Sequence, residues 1–269
     1  MTGLYIVEGP PCSGKSTASK YVADRLAGAG RNAVYVDEGT GGHPADYEFH
    51  AYVGKKELAS LPEGLRTRVM MRGEAKGDGC ILSLAAFQGA ELDLLLPYKI
   101  YDGLPWETEA PLMLDRWESF AKGADPGAVY VFNCVLLQNP MCETMMRFGF
   151  PQERSLAYIS EIVERIAPLD PAVIYLKNDR IAESVQKAAP ERPGWLDGVI
   201  HYHVNGAYGR SIGARGFAGY IACLEERQRR ELAILARLPV KSLVLDNPQG
   251  DWDDAYKRIA GFLEASRER

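Results

Sequence analysis

The fold is decided near the start of the chain, where residues 4–17 have the sequence LYIVEGPPCSGKST. Residues 4–7 are apolar and rich in β-branched and aromatic side chains, which is typical of a strand buried on both faces. Residues 9–16 then fit the pattern G-x-x-x-x-G-K-[S/T] at every fixed position, and a helical pattern follows over residues 15–28. A strand, a glycine-rich turn and a helix in this order predict a loop that binds the phosphates of a nucleotide.

The residue types of this loop suit that chemistry. Glycines let the backbone curl so that successive N–H groups point at phosphate oxygens, and the helix N-terminus adds partial positive charge. We expect Lys15 to reach the β- and γ-phosphates and the Ser16 hydroxyl to bind Mg²⁺, so ATP and Mg²⁺ are the predicted cofactors. The predicted nucleotide-binding residues are Gly9, Pro10, Pro11, Cys12, Ser13, Gly14, Lys15, Ser16 and Thr17.

Four further apolar runs indicate strands, and helical periodicities lie between them; one such stripe is interrupted by Gln228, and the last helix opens at Asp251 as a candidate N-cap. Strands alternating with helices predict an α/β fold, a doubly wound five-stranded parallel sheet, in a single domain over residues 1–269. Two regions break the alternation. Residues of about 39–127 are predicted to be a helical insertion on the acceptor side, and those of about 187–216 a lid. The four runs cover residues 33–36, 128–132, 172–176 and 242–245.

Composition and charge indicate the class of protein and its cellular location. The chain has 269 residues and a net charge of -5, which argues against a broad nucleic-acid surface. Its five cysteines are odd in number and form no C-x-x-C pair, so we expect reduced thiols rather than a disulfide framework. A strand-like run stands where a signal peptide would be, and no apolar stretch is long enough to cross a bilayer, so a cytoplasmic protein without a membrane partner is expected.

Residues 6–17 resemble the thymidylate kinase and deoxynucleoside kinase branch of the P-loop kinases. Further stretches are similar to an uncharacterised group of proteins labelled thymidylate-kinase-like. The resemblance implies an ATP-dependent kinase whose small-molecule phosphate acceptor is a nucleoside or nucleotide, and it implies a homodimer. Those stretches are residues 38–39, 43–48, 101–107, 133–134 and 137–140.

In that branch, an acidic residue at the end of the second strand faces the acceptor, and arginines of a lid follow the helix after the fourth strand. Glu38 is the predicted general base, with Asp37 as the fallback, since ligands of open α/β sheets bind at the carboxyl ends of strands. Arg192 is the nearest counterpart of a lid arginine, and it is predicted to neutralise charge on the transferring phosphate. The predicted catalytic residues are therefore Lys15, Glu38 and Arg192. Arg210 and Arg215 are expected in a loop of the same lid.

Asn133 is a departure from the family pattern. P-loop enzymes usually carry a carboxylate at the end of the third strand to order Mg²⁺, and the Asp-Arg pair of thymidylate kinases is missing here. An amide cannot supply the charge, although it can orient a metal-bound water. Either another acid (Glu8, Asp37 or Glu38) does this, or catalysis is weak.

The predicted acceptor pocket draws on the insertion. Its aromatic side chains could sandwich a flat base while amide groups read the edge of that base, although Phe87 and Trp117 are expected in the core of the insertion. The predicted substrate-binding residues are Asp46, Tyr47, Arg72, Gln88 and Gln138.

Two other functions stay open. The same scaffold serves phosphotransferases that act on an antibiotic, a sugar or another natural-product hydroxyl. A regulatory P-loop protein that binds ATP and hydrolyses it slowly is the other alternative, and Asn133 favours it.

Overall fold

Strands and helices alternate along the chain in the computed structural model, which describes residues 3–39 and 41–266. The strands are β1 (Leu4–Glu8), β2 (Asn32–Val36), β3 (His50–Val53), β4 (Glu74–Lys76), β5 (Gly79–Ser83), β6 (Ala128–Asn133), β7 (Pro171–Lys177) and β8 (Lys241–Asp246). The α-helices are α1 (Lys15–Gly28), α2 (Lys55–Ser60), α3 (Glu63–Arg72), α4 (Gly89–Leu95), α5 (Ile100–Gly103), α6 (Trp106–Gly123), α7 (Gln138–Met141), α8 (Gln152–Ile166), α9 (Ile181–Ala188), α10 (Trp195–Asn205), α11 (Ala207–Ser211), α12 (Gly216–Leu235) and α13 (Trp252–Ala265).

The chain divides into two units: the first holds the chain up to Glu38 and from Ala121 onward, and the second holds Gly39–Phe120. The first unit contains a five-stranded sheet in the order β2-β6-β1-β7-β8, and every neighbouring pair is parallel. The predicted α/β fold with a five-stranded parallel sheet is therefore confirmed. Because all five strands run in the same direction, their carboxyl ends meet at one edge of the sheet.

Helices cover both faces of this sheet. Tyr5, Val7 and Ile174 pack against α1 and α13 in one buried cluster. Side chains alternate between the faces of a strand, so the neighbouring Tyr175 points to the opposite face. There its hydroxyl donates a hydrogen bond to Glu231 of α12 over 2.5 Å. This burial on both faces explains why the strands are almost entirely apolar in sequence.

Gln228, which interrupts the apolar stripe of α12, has a specific structural partner. Its side-chain oxygen accepts a hydrogen bond from the backbone N–H of Asn178 over 2.8 Å. Its amide nitrogen donates to the backbone carbonyl of the same residue over 3.0 Å. The buried glutamine thus satisfies both backbone groups of the residue that follows β7, where no strand partner is left for them.

The helix α13 begins after Asp251, as the sequence predicts. The side chain of Asp251 accepts a hydrogen bond from the backbone N–H of Asp254 over 3.0 Å, which is the contact expected of an N-cap. Ile259 is fully buried, and Trp252, Tyr256 and Phe262 pack partly buried against the same core.

The second unit contains more than the helices expected of an insertion. Strands β3, β5 and β4 form a three-stranded antiparallel sheet in that order, and a two-residue turn, Gly77-Asp78, joins β4 to β5. Phe87 and Trp117 are buried within this unit, as expected of core residues. The roles assigned to residues of about 39–127 and about 187–216 as an acceptor-side insertion and a lid stay predictions.

We expect the substitution Gln228→Leu to lower the free energy of unfolding by about 2–4 kcal/mol, because it leaves a buried backbone N–H and a buried carbonyl without partners. Chemical denaturation measured by circular dichroism provides the check. The matched control is Arg229→Ala on the same helix, since Arg229 is exposed and its ion pair with Glu226 is at the surface; a change within about 1 kcal/mol is expected there. Equal losses from both substitutions would contradict this role of Gln228.

Candidate active site

The two fixed glycines of the phosphate loop stand at positions that exclude a side chain. Gly9 has φ 146°, and a Cβ atom there would lie 2.6 Å from the carbonyl oxygen of Leu176 in β7. Gly14 has φ 93°, and its Cβ atom would lie 2.5 Å from the indole ring of Trp252. Both positive dihedrals and both close approaches require glycine. The spacing of the sequence pattern therefore has a steric cause in this structure.

Two side chains hold the loop between these glycines. The ammonium group of Lys15 is largely buried and donates to the carbonyl of Pro10 over 3.0 Å. From the loop after β8, the amide nitrogen of Gln249 donates to the carbonyl of Ser13 over 2.9 Å. Ser16 and Thr17 are exposed in the first turn of α1. The loop thus presents a lysine, two hydroxyls and a helix N-terminus, the groups that suit a nucleotide phosphate.

Asn133 links the loop to the end of β2. Its side-chain nitrogen donates to the Ser16 hydroxyl over 3.1 Å and to a carboxylate oxygen of Asp37 over 2.7 Å. The same oxygen of Asp37 also accepts from the backbone N–H of Glu38 over 2.9 Å. Ser16, Asn133 and Asp37 therefore form one hydrogen-bonded row at the carboxyl edge of the sheet.

Glu8, the third acid considered for metal binding, is already fully engaged. Its fully buried carboxylate accepts backbone N–H donors from Leu136 and Leu137 at one oxygen and from Gln138 at the other, over 2.7, 2.8 and 3.1 Å. Burial raises the pKa of Glu8 to about 7, although the backbone donors oppose that rise. The geometry assigns Glu8 to holding the loop after β6 rather than to a metal.

Glu38, the predicted general base, is exposed at the end of β2. Its carboxylate accepts a hydrogen bond from the side-chain nitrogen of Gln138 over 3.2 Å. That nitrogen also lies 3.4 Å from the sulfur of Cys134, whose φ of 48° marks the sharp turn after β6. Gln138 therefore orients Glu38, while its own carbonyl oxygen is buried and has no hydrogen-bond partner within residues 3–39 and 41–266.

A cavity of about 840 Å³ connects the phosphate loop with these side chains. Its size lies within the range of small-molecule and cofactor sites. All of its lining residues belong to the first unit. They are Pro11, Cys12, Gly14, Lys15, Ser16, Thr17, Glu38, Gln138, Cys142, Ser184, Lys187, Ala188, Glu191, Arg192, Trp195, Val199, Tyr202, His203, Tyr220, Arg227, Gln249, Trp252 and Tyr256.

His203, Tyr220 and Arg227 form what we call the inner wall of this cavity. All three side chains are buried, and the rings of His203 and Tyr220 lie 4.8 Å apart. His203 Nε2, the Tyr220 hydroxyl and Arg227 Nη2 have no hydrogen-bond partner in the part of the chain that the structure describes. Leaving such buried groups unpaired is costly, so a polar partner in the cavity is expected to satisfy them.

The charge of the inner wall follows from its neighbours. Burial alone would lower the pKa of Arg227, but Glu231, 3.1 Å away on the next turn of α12, raises it above its usual value. Arg227 is therefore a cation, and its side chain pairs with Glu231. His203 is close to Val199, with 2.7 Å between its Nδ1 and the backbone carbonyl, which requires a proton on Nδ1. Its Nε2 is then a hydrogen-bond acceptor when the ring is neutral.

Of the three arginines predicted in the lid, Arg192 lines the cavity and Arg210 and Arg215 do not. Arg192 and Lys187 are exposed lining residues, and Arg192 is close enough to Cys12 to oppose the rise in the pKa of that thiol that burial causes. The expectation of a loop is wrong for Arg210, which lies in α11 and donates to the carbonyl of Asn205. Arg215 precedes α12 as its N-cap residue.

Arg229 and Arg230 are neighbours in a run of charged residues on α12, but they differ in burial. Arg229 is exposed, whereas Arg230 is largely covered. Arg230 donates to the carbonyl of Phe150 over 3.1 Å and lies over the ring of Tyr208. Both arginines also pair with Glu226. Arg230 therefore has a packing role that its position in the sequence pattern did not indicate.

Of the five predicted substrate-binding residues, only Gln138 belongs to the first unit. Asp46 and Tyr47 are buried in the second unit, where Asp46 accepts the hydroxyl of Tyr101 over 2.5 Å and Arg116 lies over the Tyr47 ring. Arg72 and Gln88 are exposed there. Their assignment to an acceptor pocket stays a prediction.

The inner wall is the part of the cavity that sequence reasoning missed. His203 lies in the helix α10, and Arg227 is buried although it stands in a run of charged residues. Neither residue belongs to a motif. A weak signal existed for Arg227, because Glu231 follows it at the spacing of an i,i+4 helix pair.

Comparisons with known proteins add little to this geometry. The sequence matches no protein-family profile and no curated protein. A solved structure with a similar arrangement is that of the YorR protein from Bacillus subtilis in complex with phosphorylated GDP. The two sequences are 13% identical, and the alignment covers 99% of this chain and 98% of the YorR chain. The TM-score is 0.40. A likeness at this level indicates nothing about the ligand of the present chain.

Among the described residues, none of the helices has both the length and the apolar character needed to cross a membrane. Nor do those residues contain a group of three or more His, Cys, Asp or Glu side chains placed to hold a metal ion by themselves.

We expect His203 to make the protein less stable in acid. Burial, and then Arg227, lower the pKa of His203 to about 4, whereas an unfolded histidine has a pKa of about 6.5. As the pH falls, the unfolded state therefore binds this proton before the folded state does. The free energy of unfolding is highest above about pH 6.5 in this respect, and it falls by up to about 3 kcal/mol as the pH falls towards 4. Denaturation of His203→Gln between pH 7 and 5 should show a smaller loss than the wild type.

The control for this measurement is His201→Gln, two residues earlier on α10, because His201 is exposed. That variant should keep the wild-type dependence on pH. His43 is also buried, with its pKa lowered to about 4 by burial and then by Arg116, so part of the wild-type dependence will remain in both variants. A His203→Gln protein with an unchanged slope would contradict the assignment.

Proposed function

We propose that this chain is an ATP-dependent kinase that transfers the γ-phosphate of ATP to a hydroxyl group of a small, nucleoside- or nucleotide-like acceptor. The observation that carries the proposal is that a single cavity is lined by the phosphate-loop residues Lys15 and Ser16 and by the carboxylate of Glu38. A base and a phosphate cradle that share one cavity can act on the same reacting group.

The cations of the cavity support the electrostatic part of this function. Phosphoryl transfer needs positive charge around the transferring group more than it needs covalent chemistry from the protein. Lys15 supplies one charge from the loop, and Lys187 of α9 and Arg192, which follows that helix, supply others. Mg²⁺ bound with ATP would neutralise further charge on the β- and γ-phosphates, and the exposed hydroxyl of Ser16 is suited to hold it.

Glu38 supports the chemical step. The acceptor oxygen forms a bond to the γ-phosphorus, the bond from that phosphorus to the β–γ bridging oxygen breaks, and ADP leaves. The proton of the acceptor hydroxyl passes to the carboxylate of Glu38. Gln138 positions this carboxylate through the hydrogen bond between their side chains.

The nature of the acceptor is supported by the inner wall of the cavity and by sequence. The inner wall offers a cation, a hydroxyl and an imidazole nitrogen, and aromatic side chains such as Trp195 and Tyr202 stand beside it. Flat faces next to a few polar groups suit a heterocyclic base. The stretches that resemble the thymidylate-kinase-like group point to the same class of acceptor. A sugar or a natural-product hydroxyl is the alternative acceptor for the same chemistry.

Asn133 favours a second candidate function, an ATP-binding regulatory protein with slow hydrolysis, because an amide stands where kinases of this fold carry a carboxylate. Such a protein would use the phosphate loop but would not respond to an acceptor. Two accompanying proposals are that the chain works in the cytoplasm, where ATP is available, and that it forms a homodimer, as the resemblance implies.

The proposed function is tested by measuring ADP release from ATP and Mg²⁺ with pools of nucleosides, nucleoside monophosphates, sugars and aminoglycosides. We expect one nucleoside or nucleotide pool to stimulate turnover. Lys15→Ala should reduce the stimulated rate by roughly 100-fold or more, since it removes a preorganised charge from the transferring phosphate. Its melting temperature should stay close to that of the wild type. Stimulation by the sugar or aminoglycoside pool alone would favour the other acceptor class, and slow turnover that no pool changes would favour the regulatory protein.

A second experiment tests the role of Glu38. We expect Glu38→Gln to lower kcat by about 100-fold or more, because general-base catalysis contributes at that level, and to leave the affinity for ATP nearly unchanged. Glu183→Gln is the matched control, since Glu183 is an exposed carboxylate on α9 that pairs with Arg180. Stopped-flow or steady-state kinetics with the stimulating acceptor gives both constants. A parallel loss of kcat and of ATP affinity would indicate a role in binding instead.

A further inference from the structure

β6 ends at a neutral side chain, where P-loop enzymes usually carry a carboxylate that orders Mg²⁺. A metal ion at the phosphates of ATP is held best by hard oxygen ligands, and a carboxylate among them contributes negative charge. The third strand of the parallel sheet along the chain, β6, ends at Asn133, whose side chain is neutral. A carboxylate that orders Mg²⁺ must then come from another strand of the same edge.

The hydrogen bonds of Asn133 identify the strand. A carboxylate can only accept, so the contact of 2.7 Å to Asp37 fixes the side-chain nitrogen of Asn133 on the side of Asp37. The same nitrogen donates to the Ser16 hydroxyl over 3.1 Å. One amide group therefore brings together the hydroxyl expected to bind Mg²⁺ and a carboxylate from β2.

A second observation points to a ligand at this position. The side chain of Asn133 is 2% exposed, and its carbonyl oxygen has no hydrogen-bond partner in residues 3–39 and 41–266. A buried amide oxygen of this kind calls for a donor that the described chain does not supply. A water molecule bound to a metal ion is such a donor.

The other two acids at the ends of β1 and β2 are committed elsewhere. Both oxygens of Glu8 accept backbone N–H groups of the loop after β6. Glu38 is hydrogen-bonded to Gln138. Of the three acids at the ends of β1 and β2, Asp37 is the one that shares a hydrogen-bonded neighbour with Ser16.

We propose that Asp37 supplies the negative charge of the Mg²⁺ site in this chain, together with the Ser16 hydroxyl, and that Asn133 holds these two side chains in place and accepts a hydrogen bond from a metal-bound water. The carboxylate of the metal site thus comes from the end of β2 and not from the end of β6. Asp37 then contributes to binding the metal, and Glu38 takes the proton of the acceptor hydroxyl. The proposal rests on the binding of Mg²⁺ with ATP, which is part of the proposed function, but not on the identity of the acceptor.

The experiment measures the affinity of a fluorescent ATP analogue, mant-ATP, in Mg²⁺ and in EDTA. Mg²⁺ should tighten binding to the wild type by about 10-fold or more. Asp37→Asn should lose most of that gain while its affinity in EDTA stays the same or improves. The exchange variant Asp37→Asn/Asn133→Asp returns a carboxylate to the site from β6, so at least half of the gain should return. Melting temperatures check that both variants are folded.

Asp246→Asn is the matched control, because Asp246 ends β8 at the same edge of the sheet but pairs with Lys177 at the surface. It should keep the full effect of Mg²⁺. The number of Mn²⁺ ions held by the protein with ATP, measured by electron paramagnetic resonance, should follow the same order among the variants.

The proposal is overturned if Asp37→Asn keeps the effect of Mg²⁺, if the wild type shows no such effect, or if the exchange variant fails to regain it. The last result would mean that Asp37 is needed for the structure of the edge and not for its charge. These outcomes are separate from the fate of the kinase proposal, because absence of any stimulating acceptor would leave the binding measurements intact. Failure to bind mant-ATP at all would overturn both.

Discussion

The carboxylate of Glu8 is the group on which the arrangement of the site depends. It ends β1 immediately before the phosphate loop, and its two oxygens accept three backbone N–H groups from the loop that follows β6. That loop carries Gln138 and begins next to Asn133. A single buried acid therefore fixes the phosphate loop relative to the side chains that orient Glu38 and Asp37. Backbone donors are strong partners for a carboxylate, which explains how an acid can be retained at a position that burial disfavours.

Buried charged side chains next to the cavity are also paired. Glu231 accepts the hydroxyl of Tyr175 from β7 and pairs with Arg227, whose guanidinium also contacts the sulfur of Cys142. The Tyr220 hydroxyl and His203 Nε2, which line the cavity, have no hydrogen-bond partner within residues 3–39 and 41–266. These two groups have hydrogen-bonding capacity left for a ligand.

The sequence predicted what depends on local patterns. The phosphate loop, the five strands and the N-cap at Asp251 each depend on residues a few positions apart, and the structure shows the strands and the cap as predicted. The hairpin between β4 and β5 was missed although Gly77-Asp78 is a known turn signal. The inner wall could not be predicted, because it is formed by α10 and α12, which meet only in the folded chain. The hydrogen bonds of Asn133 likewise join the end of β6, the segment after β2 and the first turn of α1, which are distant in sequence.

The contact between Gly14 and the indole ring of Trp252 couples the beginning of the chain to a helix made much later. During synthesis, the phosphate loop is made early, but the ring that packs against it is made only after most of the first unit. The packing around Gly14 should therefore be completed late, when α13 docks against α1 and the sheet.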